Sequence, residues 1–330
     1  MAAALRVSSG DPPSPLWRRD AATLAARLPS LAVAAKEIAQ SVMHGVHGRR
    51  RAGPGETFWQ FRPFLSGEPA AGVDWRRSAR EDRAYVRERE WEAAHTVWIW
   101  IDRSPSMAFV SQLAKASKIE RATVLGLAAA DLLVRGGERV GLLGLTRPLA
   151  TRGVIERFAG ALAIDERLSD ARAPLPPQVP LKARSKVVLF SDFLSDESEI
   201  RRAIDALSAQ GAQGEALMIA DPIEETFPFE GHTEFLGADG LTRLRAPRAQ
   251  SLRDAYLTRL ARHRDAVREA CAARGWGFAL HRTDKPAAQA LLALRMRLEG
   301  PSLGRSSLGG QSLAGPSLAR RSASSMAGGG

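Results

Sequence analysis

Five short apolar runs, separated by segments of helical periodicity, dictate the architecture open to this 330-residue chain. Residues 97–101 read Val-Trp-Ile-Trp-Ile without interruption and end at Asp102. A continuous run of that length is the pattern of a strand covered on both faces in a parallel sheet. Residues 139–145, 186–190, 216–220 and 277–280 repeat the type. Between them, residues 120–135, 198–210 and 251–274 have helical patterns, each followed by Gly136, Gly211 or Gly275. A glycine there takes the left-handed conformation that closes a helix, and Ser251 with Asp254 has the spacing of a capping box. A last helix is expected over residues 286–298. Strands alternating with helices specify βαβ units. The expected fold is therefore α/β, a doubly wound, mostly parallel sheet with helices on both faces.

The flanks differ in texture. Residues 1–19 are rich in Ala, Pro and Ser and read as a mobile leader; residues 20–95 form an N-terminal extension; residues 96–298 hold the principal domain. Residues 299–330 repeat Gly-Pro-Ser-Leu and end in glycine, a composition that buries too little apolar area to offset the entropy of ordering. A disordered tail is expected. Within the extension, Leu28, Leu31, Ala35, Ile38 and Val42 recur at helical spacing, with Pro29 placing the start of the regular part near itself. Residues 48–56 are basic and glycine-rich, and Phe58, Trp59, Phe61 and Phe64 come next. No Lys-Ser or Lys-Thr pair follows that loop, so it is not a P-loop.

A hydrophobic fraction of 45% with 25% charged residues suits a chain that buries a core, and this length allows one large domain with appendages. The most apolar segment, residues 122–134, is interrupted by Asp131 and is shorter than the roughly 20 residues a bilayer requires. The first residues lack the apolar centre of a secretory signal, so a cytoplasmic location is expected. Cys271 is the single cysteine and reads as a small buried side chain. A net charge of +11 favours acidic partners, but the arginines are dispersed and form no stripe. A basic nucleic-acid-binding protein is the alternative that this charge keeps open.

In a doubly wound sheet, ligands bind beyond the carboxyl ends of the strands, where strand order reverses. Asp102 follows the first buried run, and Asp192 follows residues 187–191. Asp102, Ser104 and Ser106 alternate along Asp-Arg-Ser-Pro-Ser, so three hard oxygen donors can face the same way. Such donors suit Mg²⁺, Mn²⁺ or Ca²⁺. The competing account is that Asp102 and the serines only shape the turn and cap the next helix. Asp221 and Glu224 stand after another strand end, where turn formation with Pro222 explains them economically. His44 and His47 have no third ligand nearby and read as solvent or packing residues.

Four segments carry a family resemblance. They are Gly67-Glu68 with residues 73–80 (Val-Asp-Trp-Arg-Arg-Ser-Ala-Arg), residues 101–107 (Ile-Asp-Arg-Ser-Pro-Ser-Met), residues 190–193 (Phe-Ser-Asp-Phe), and Asp221-Pro222 with Glu224. In order and spacing the chain resembles the bacterial domain of unknown function 58 family, which contains a von Willebrand factor A-like domain. That resemblance implies a metal-ion-dependent adhesion site at Asp102, Ser104, Ser106 and Asp192, with a divalent cation, Mg²⁺ first. It also implies a threonine from the loop before the Asp192 strand, yet residues 165–184 contain none. Thr146 and Thr151 lie earlier, and Ser169 or Asp170 would have to substitute. The implied partner is a MoxR-type AAA+ ATPase, in an adaptor or chaperone-like role.

Catalysis is not expected. A haloacid-dehalogenase-type phosphatase needs a second Asp two residues after the first, and Ser104 stands there. Gly-x-Ser-x-Gly occurs at residues 300–304 alone, inside the Ser/Gly/Pro tail and not between a strand and a helix where a nucleophile elbow needs it, and His-Glu-x-x-His does not occur. A metal-dependent hydrolase is therefore the weaker alternative to a protein-interaction module.

Overall fold

The computed structural model describes residues 16–46, 57–64, 73–79, 83–90, 95–168, 172–238 and 242–299. The leader up to residue 15, the loop 48–56, Gly67, Glu68, His47, Ser169, Asp170 and the tail from residue 300 lie outside them.

The centre is a five-stranded sheet built from β3 (Thr96–Ile101), β4 (Arg139–Leu142), β5 (Lys186–Ser191), β6 (Gln213–Ala220) and β9 (Gly277–Arg282). Its order is β4-β3-β5-β6-β9, and each pair is parallel. From β3 the chain goes first to β4 on one side, then returns to place β5 on the other. The order therefore reverses between β3 and β5, and their carboxyl ends flank the switch point.

Side chains alternate between two cores because successive residues of a strand point to opposite faces. Val97, Ile99 and Ile101 of β3, Val188 and Phe190 of β5, and Leu217 and Ile219 of β6 join one core. Trp100, Val187, Leu189, Ala216 and Met218 join the other. The first face is covered by α3 (Lys118–Arg135), α4 (Val154–Leu168) and α8 (Ala287–Glu299), and the second by α5 (Glu197–Ala209) and α7 (Arg253–Ala272). These are the expected elements, with two additions. Residues 154–168, where no helix was expected, form α4. A hairpin of β7 (Thr233–Leu236) and β8 (Arg243–Ala246) follows the short α6 (Pro222–Thr226).

Helix ends explain where α3 and α5 begin. The Ser117 side chain accepts from the Glu120 N–H while Glu120 reaches back to the Ser117 N–H, and Asp196 caps α5 through Ser198 N. The box expected at Ser251 and Asp254 does not form. Ser251 instead donates its hydroxyl to the Arg248 carbonyl at 2.7 Å, within a 3₁₀ turn at Ala249–Leu252 that precedes α7.

The first helix, α1 (Leu16–Val46), starts earlier than expected and runs through Pro29. It packs across α3 and α4 with Leu24, Leu28, Leu31, Ala35, Ala39 and Val42 buried. Burying a single Leu or Val contributes about 1.5–3 kcal/mol, so this stripe outweighs the roughly 3 kcal/mol that an internal proline costs. An ion pair from Arg27 to Glu120 ties α1 to the start of α3. The remaining extension contains the antiparallel pair β1 (Thr57–Pro63) and β2 (Tyr85–Glu90), with the short α2 (Trp75–Ser78) between them.

Candidate functional site

The site grows from the ends of β3 and β5. The Asp102 N–H donates to the Phe190 carbonyl at 2.8 Å, extending the β3–β5 ladder by one step before the strands diverge. Beyond it the chain turns at once, because Asp102 Oδ1 accepts from the Ser104 N–H at 2.8 Å. Pro105 opens a 3₁₀ turn at Pro105–Ala108, whose fully buried Met107 anchors the loop in the first core. The Ser104 and Ser106 hydroxyl oxygens are then 3.2 Å apart. Asp102 and Ser104 are buried, and Ser106 is half-buried at the opening.

The β5 end supplies the other half. The Ser191 hydroxyl donates to Asp102 Oδ2 at 2.6 Å and accepts from the Phe193 N–H at 2.8 Å. Asp192 is buried next to it, and its Oδ1 accepts from the Leu194 N–H at 3.2 Å. Phe193 takes a left-handed conformation, φ 50°, to make this turn. Asp102, Ser104 and Ser106 on the loop after β3 and Asp192 just after β5 thus stand on the two sides of the switch point.

A third loop, that of Asp221 and Glu224 after β6, joins them through Lys118, a residue that the local sequence pattern does not single out. Lys118, at the first position of α3, is fully buried, and its ammonium donates to Asp192 Oδ2 at 2.9 Å and Glu224 Oε1 at 2.6 Å. Glu224 and Asp221 do shape a turn, as expected, through a capping box at the start of α6. Glu224 Oε2 accepts from the Asp221 N–H at 2.8 Å, and Asp221 Oδ2 accepts from the Ser111 N–H at 2.9 Å. Glu224 therefore both caps the turn and holds Lys118. The one signal in the sequence is the lysine's position: a cation at the first turn of a helix opposes the helix dipole and needs another reason to be there.

The electrostatics show where charge remains unbalanced. Burial works to strip the proton from Lys118, but Asp192 and Glu224 outweigh it and hold the ammonium above the ordinary lysine range. Burial likewise raises Glu224, with Lys118 opposing. Asp102 is pushed up to about 7, first by burial and then by the charge of Asp192, against the hydrogen bonds from Ser191 and Ser104. The ammonium thus pairs with two of the buried carboxylates, Asp192 and Glu224, and Asp102 takes none of it directly.

This donor set fits a hard divalent cation. Mg²⁺ uses one or two carboxylates together with hydroxyls and retained waters. Among the described residues, no three His, Cys, Asp or Glu side chains gather as a metal-holding group, so Asp102 and Asp192 would have to act with the serine hydroxyls. The Thr146 hydroxyl accepts from the Leu142 N–H at 2.9 Å and serves its own turn.

Arg103, between the site residues, points elsewhere. It pairs with Asp165 at 2.5 Å and Glu166 at 2.8 Å, and Arg172 joins the same two carboxylates. These pairs border a cavity of about 240 Å³ between the ends of β3 and β4, lined by Leu143, Leu145, Leu162 and Leu175. Beyond the 3₁₀ turn, Val110 and Leu113 are exposed. Cys271 is buried away from this region, its thiol pushed up to about 12 by burial and then by Glu215. No described helix is long and apolar enough to cross a membrane.

A parallel α/β domain with an acidic, hydroxyl-rich cluster at its switch point is the class these features define. The chain belongs to the family described as "Protein of unknown function DUF58", whose pattern matches residues 60–266, more than half of it. It is 27% identical over 277 residues to the uncharacterized proteins Rv1480 of Mycobacterium tuberculosis and Mb1516 of Mycobacterium bovis, covering 79% of this chain and 86% of theirs. Among solved structures it is similar to an aerotolerance-related membrane protein from Bacteroides fragilis, at 20% identity, and to the conserved hypothetical protein BatB from Bacteroides thetaiotaomicron, at 17%. Each superposes with a TM-score of 0.35 over 62% of this chain and 98% of the other.

Proposed function

We propose that this chain is a non-catalytic protein-interaction module of the von Willebrand factor A-like kind, whose binding depends on a divalent cation, Mg²⁺ first, held by Asp102, Ser104, Ser106 and Asp192. The observation that carries this reading is the cluster at the β3–β5 switch point, where buried Asp102 is held by the Ser104 N–H and the Ser191 hydroxyl while the nearby ammonium of Lys118 is given to Asp192 and Glu224. A divalent ion supplies positive charge there and offers an open position to a partner's oxygen ligand. Exposed Val110 and Leu113, with the leucine-lined cavity beside Arg103, give such a partner apolar surface around the ion.

The partner follows from family resemblance and not from the geometry: a MoxR-type AAA+ ATPase, with this chain as adaptor or chaperone-like subunit in assembling other proteins. A pull-down with a purified MoxR-type ATPase tests it. Retention in Mg²⁺, lost on chelation and lost with Asp102→Ala, is expected. Retention unaffected by both treatments, or none in Mg²⁺, contradicts the proposal.

A further inference from the structure

A buried ammonium is costly, because it gives up hydration that carboxylates must replace. Lys118 meets that cost with two acceptors, one of which, Asp192, also belongs to the candidate cation site. Asp192 Oδ1 is engaged by the Leu194 N–H and Oδ2 by Lys118, so a cation drawing on this carboxylate meets a positive charge already attached to it. Glu224 accepts from the same ammonium, and its other oxygen is fixed by the Asp221 N–H. The three groups form a chain of contacts: site carboxylate, ammonium, second carboxylate.

We propose that Lys118 is a built-in competitor for the cation, lowering the affinity of the site by holding Asp192, and that Glu224 raises that affinity by drawing the ammonium away. The inference rests on the cation reading of the site. Coulomb's law sets the signs, since a fixed positive charge beside a carboxylate weakens its hold on a second cation and a negative charge paired with that positive one offsets it. The arrangement also gives the site a route outward. The Lys118 N–H donates to the Phe109 carbonyl at 3.2 Å, and Ser111 is tied to Asp221. A shift of the ammonium on cation binding thus bears on Phe109 and Ser111, which bracket the exposed Val110.

A scaffold role for Lys118 predicts that removing either member weakens binding, whereas competition predicts opposite signs. The test is Mn²⁺ binding to the full chain, with free ion followed by electron paramagnetic resonance, for the wild type, Lys118→Met, Lys118→Arg and Glu224→Gln. Glutamine keeps a carbonyl for the Asp221 N–H and removes the charge. Lys118→Met should bind roughly tenfold or more tightly than the wild type, Lys118→Arg close to it, and Glu224→Gln roughly tenfold more weakly. A folded Lys118→Met that binds no tighter than a binding wild type overturns the competition alone. Should Lys118→Met fail to fold, Lys118→Gln, which keeps a hydrogen-bond donor and removes the charge, takes its place: binding no tighter than the wild type overturns the proposal. Absence of Mn²⁺ binding in all four chains overturns this inference and the cation reading together.

Discussion

The Ser191 hydroxyl donates to Asp102 Oδ2 at 2.6 Å, joining the ends of two adjacent parallel strands through side chains just where their backbone ladder stops. The bond favours the ionised carboxylate, and its loss leaves a buried acceptor half satisfied. Ser191→Ala should cost about 1–3 kcal/mol of stability and raise the Asp102 pKa further. Urea unfolding of the metal-free chain checks the first, and the pH dependence of Mg²⁺ binding checks the second; an unchanged midpoint contradicts this role for Ser191.

Asp102 gives the metal-free chain a distinctive pH dependence. Its carboxyl titrates at about 7 when folded, against 3.8 for the unperturbed group. Between those values the folded chain holds a proton that the unfolded chain has released. The associated stabilisation is fully present below about pH 4 and is lost as pH rises through 7, an effect on the order of 4 kcal/mol. This contribution makes the metal-free chain less stable at pH 8 than at pH 5, and Asp102→Asn should flatten that fall. Thermal melts in chelator across this range measure it, and a parallel fall in the Asn variant contradicts it. Added Mg²⁺ should reverse the fall, because the ion binds the ionised form.

Gly214 of β6 separates stability from the site. A Cβ there would run into the ring of Trp276, which is buried in the second core and donates its indole N–H to the Ala212 carbonyl at 3.3 Å. Gly214→Ala should cost about 1–3 kcal/mol through overpacking, with Mg²⁺ affinity unchanged in the folded fraction. Guanidinium unfolding alongside a binding isotherm checks both, and an unshifted unfolding midpoint would show that the ring yields freely.

Sequence and structure agree where local pattern is enough. Residues 97–101 and 186–190 read as buried strands because both of their faces enter a core, and the acidic residue at each end marks the switch point. Asp102, Ser104 and Ser106 were legible as one loop, and Asp192 as the residue a neighbouring strand would bring to it. The helix α4 escaped because Phe-Ala-Gly-Ala-Leu-Ala-Ile at residues 158–164 is nearly continuous apolar sequence, which hides the stripe of Val154, Ile155, Phe158 and Leu162. The β7–β8 hairpin escaped for a different reason. Its strands are short and partly charged, and Phe235 is held by Phe227 and Phe229, with ring centroids 5.7 and 5.4 Å away, in a cluster assembled from distant positions. Pro29 misled because tertiary burial of the α1 stripe overrides its local cost. Lys118 was hidden most deeply, since lysine ordinarily faces solvent and only the meeting of the β5 and β6 ends with α3 encloses it.

Isothermal titration of Mg²⁺ into the wild-type chain, Asp102→Ala and Ser104→Ala at neutral pH tests the cation site most directly. Saturable uptake of a single ion by the wild type is predicted, abolished in Asp102→Ala and weakened roughly tenfold or more in Ser104→Ala. Wild-type protein that takes up no Mg²⁺, Mn²⁺ or Ca²⁺, or uptake that survives Asp102→Ala unchanged, would contradict it.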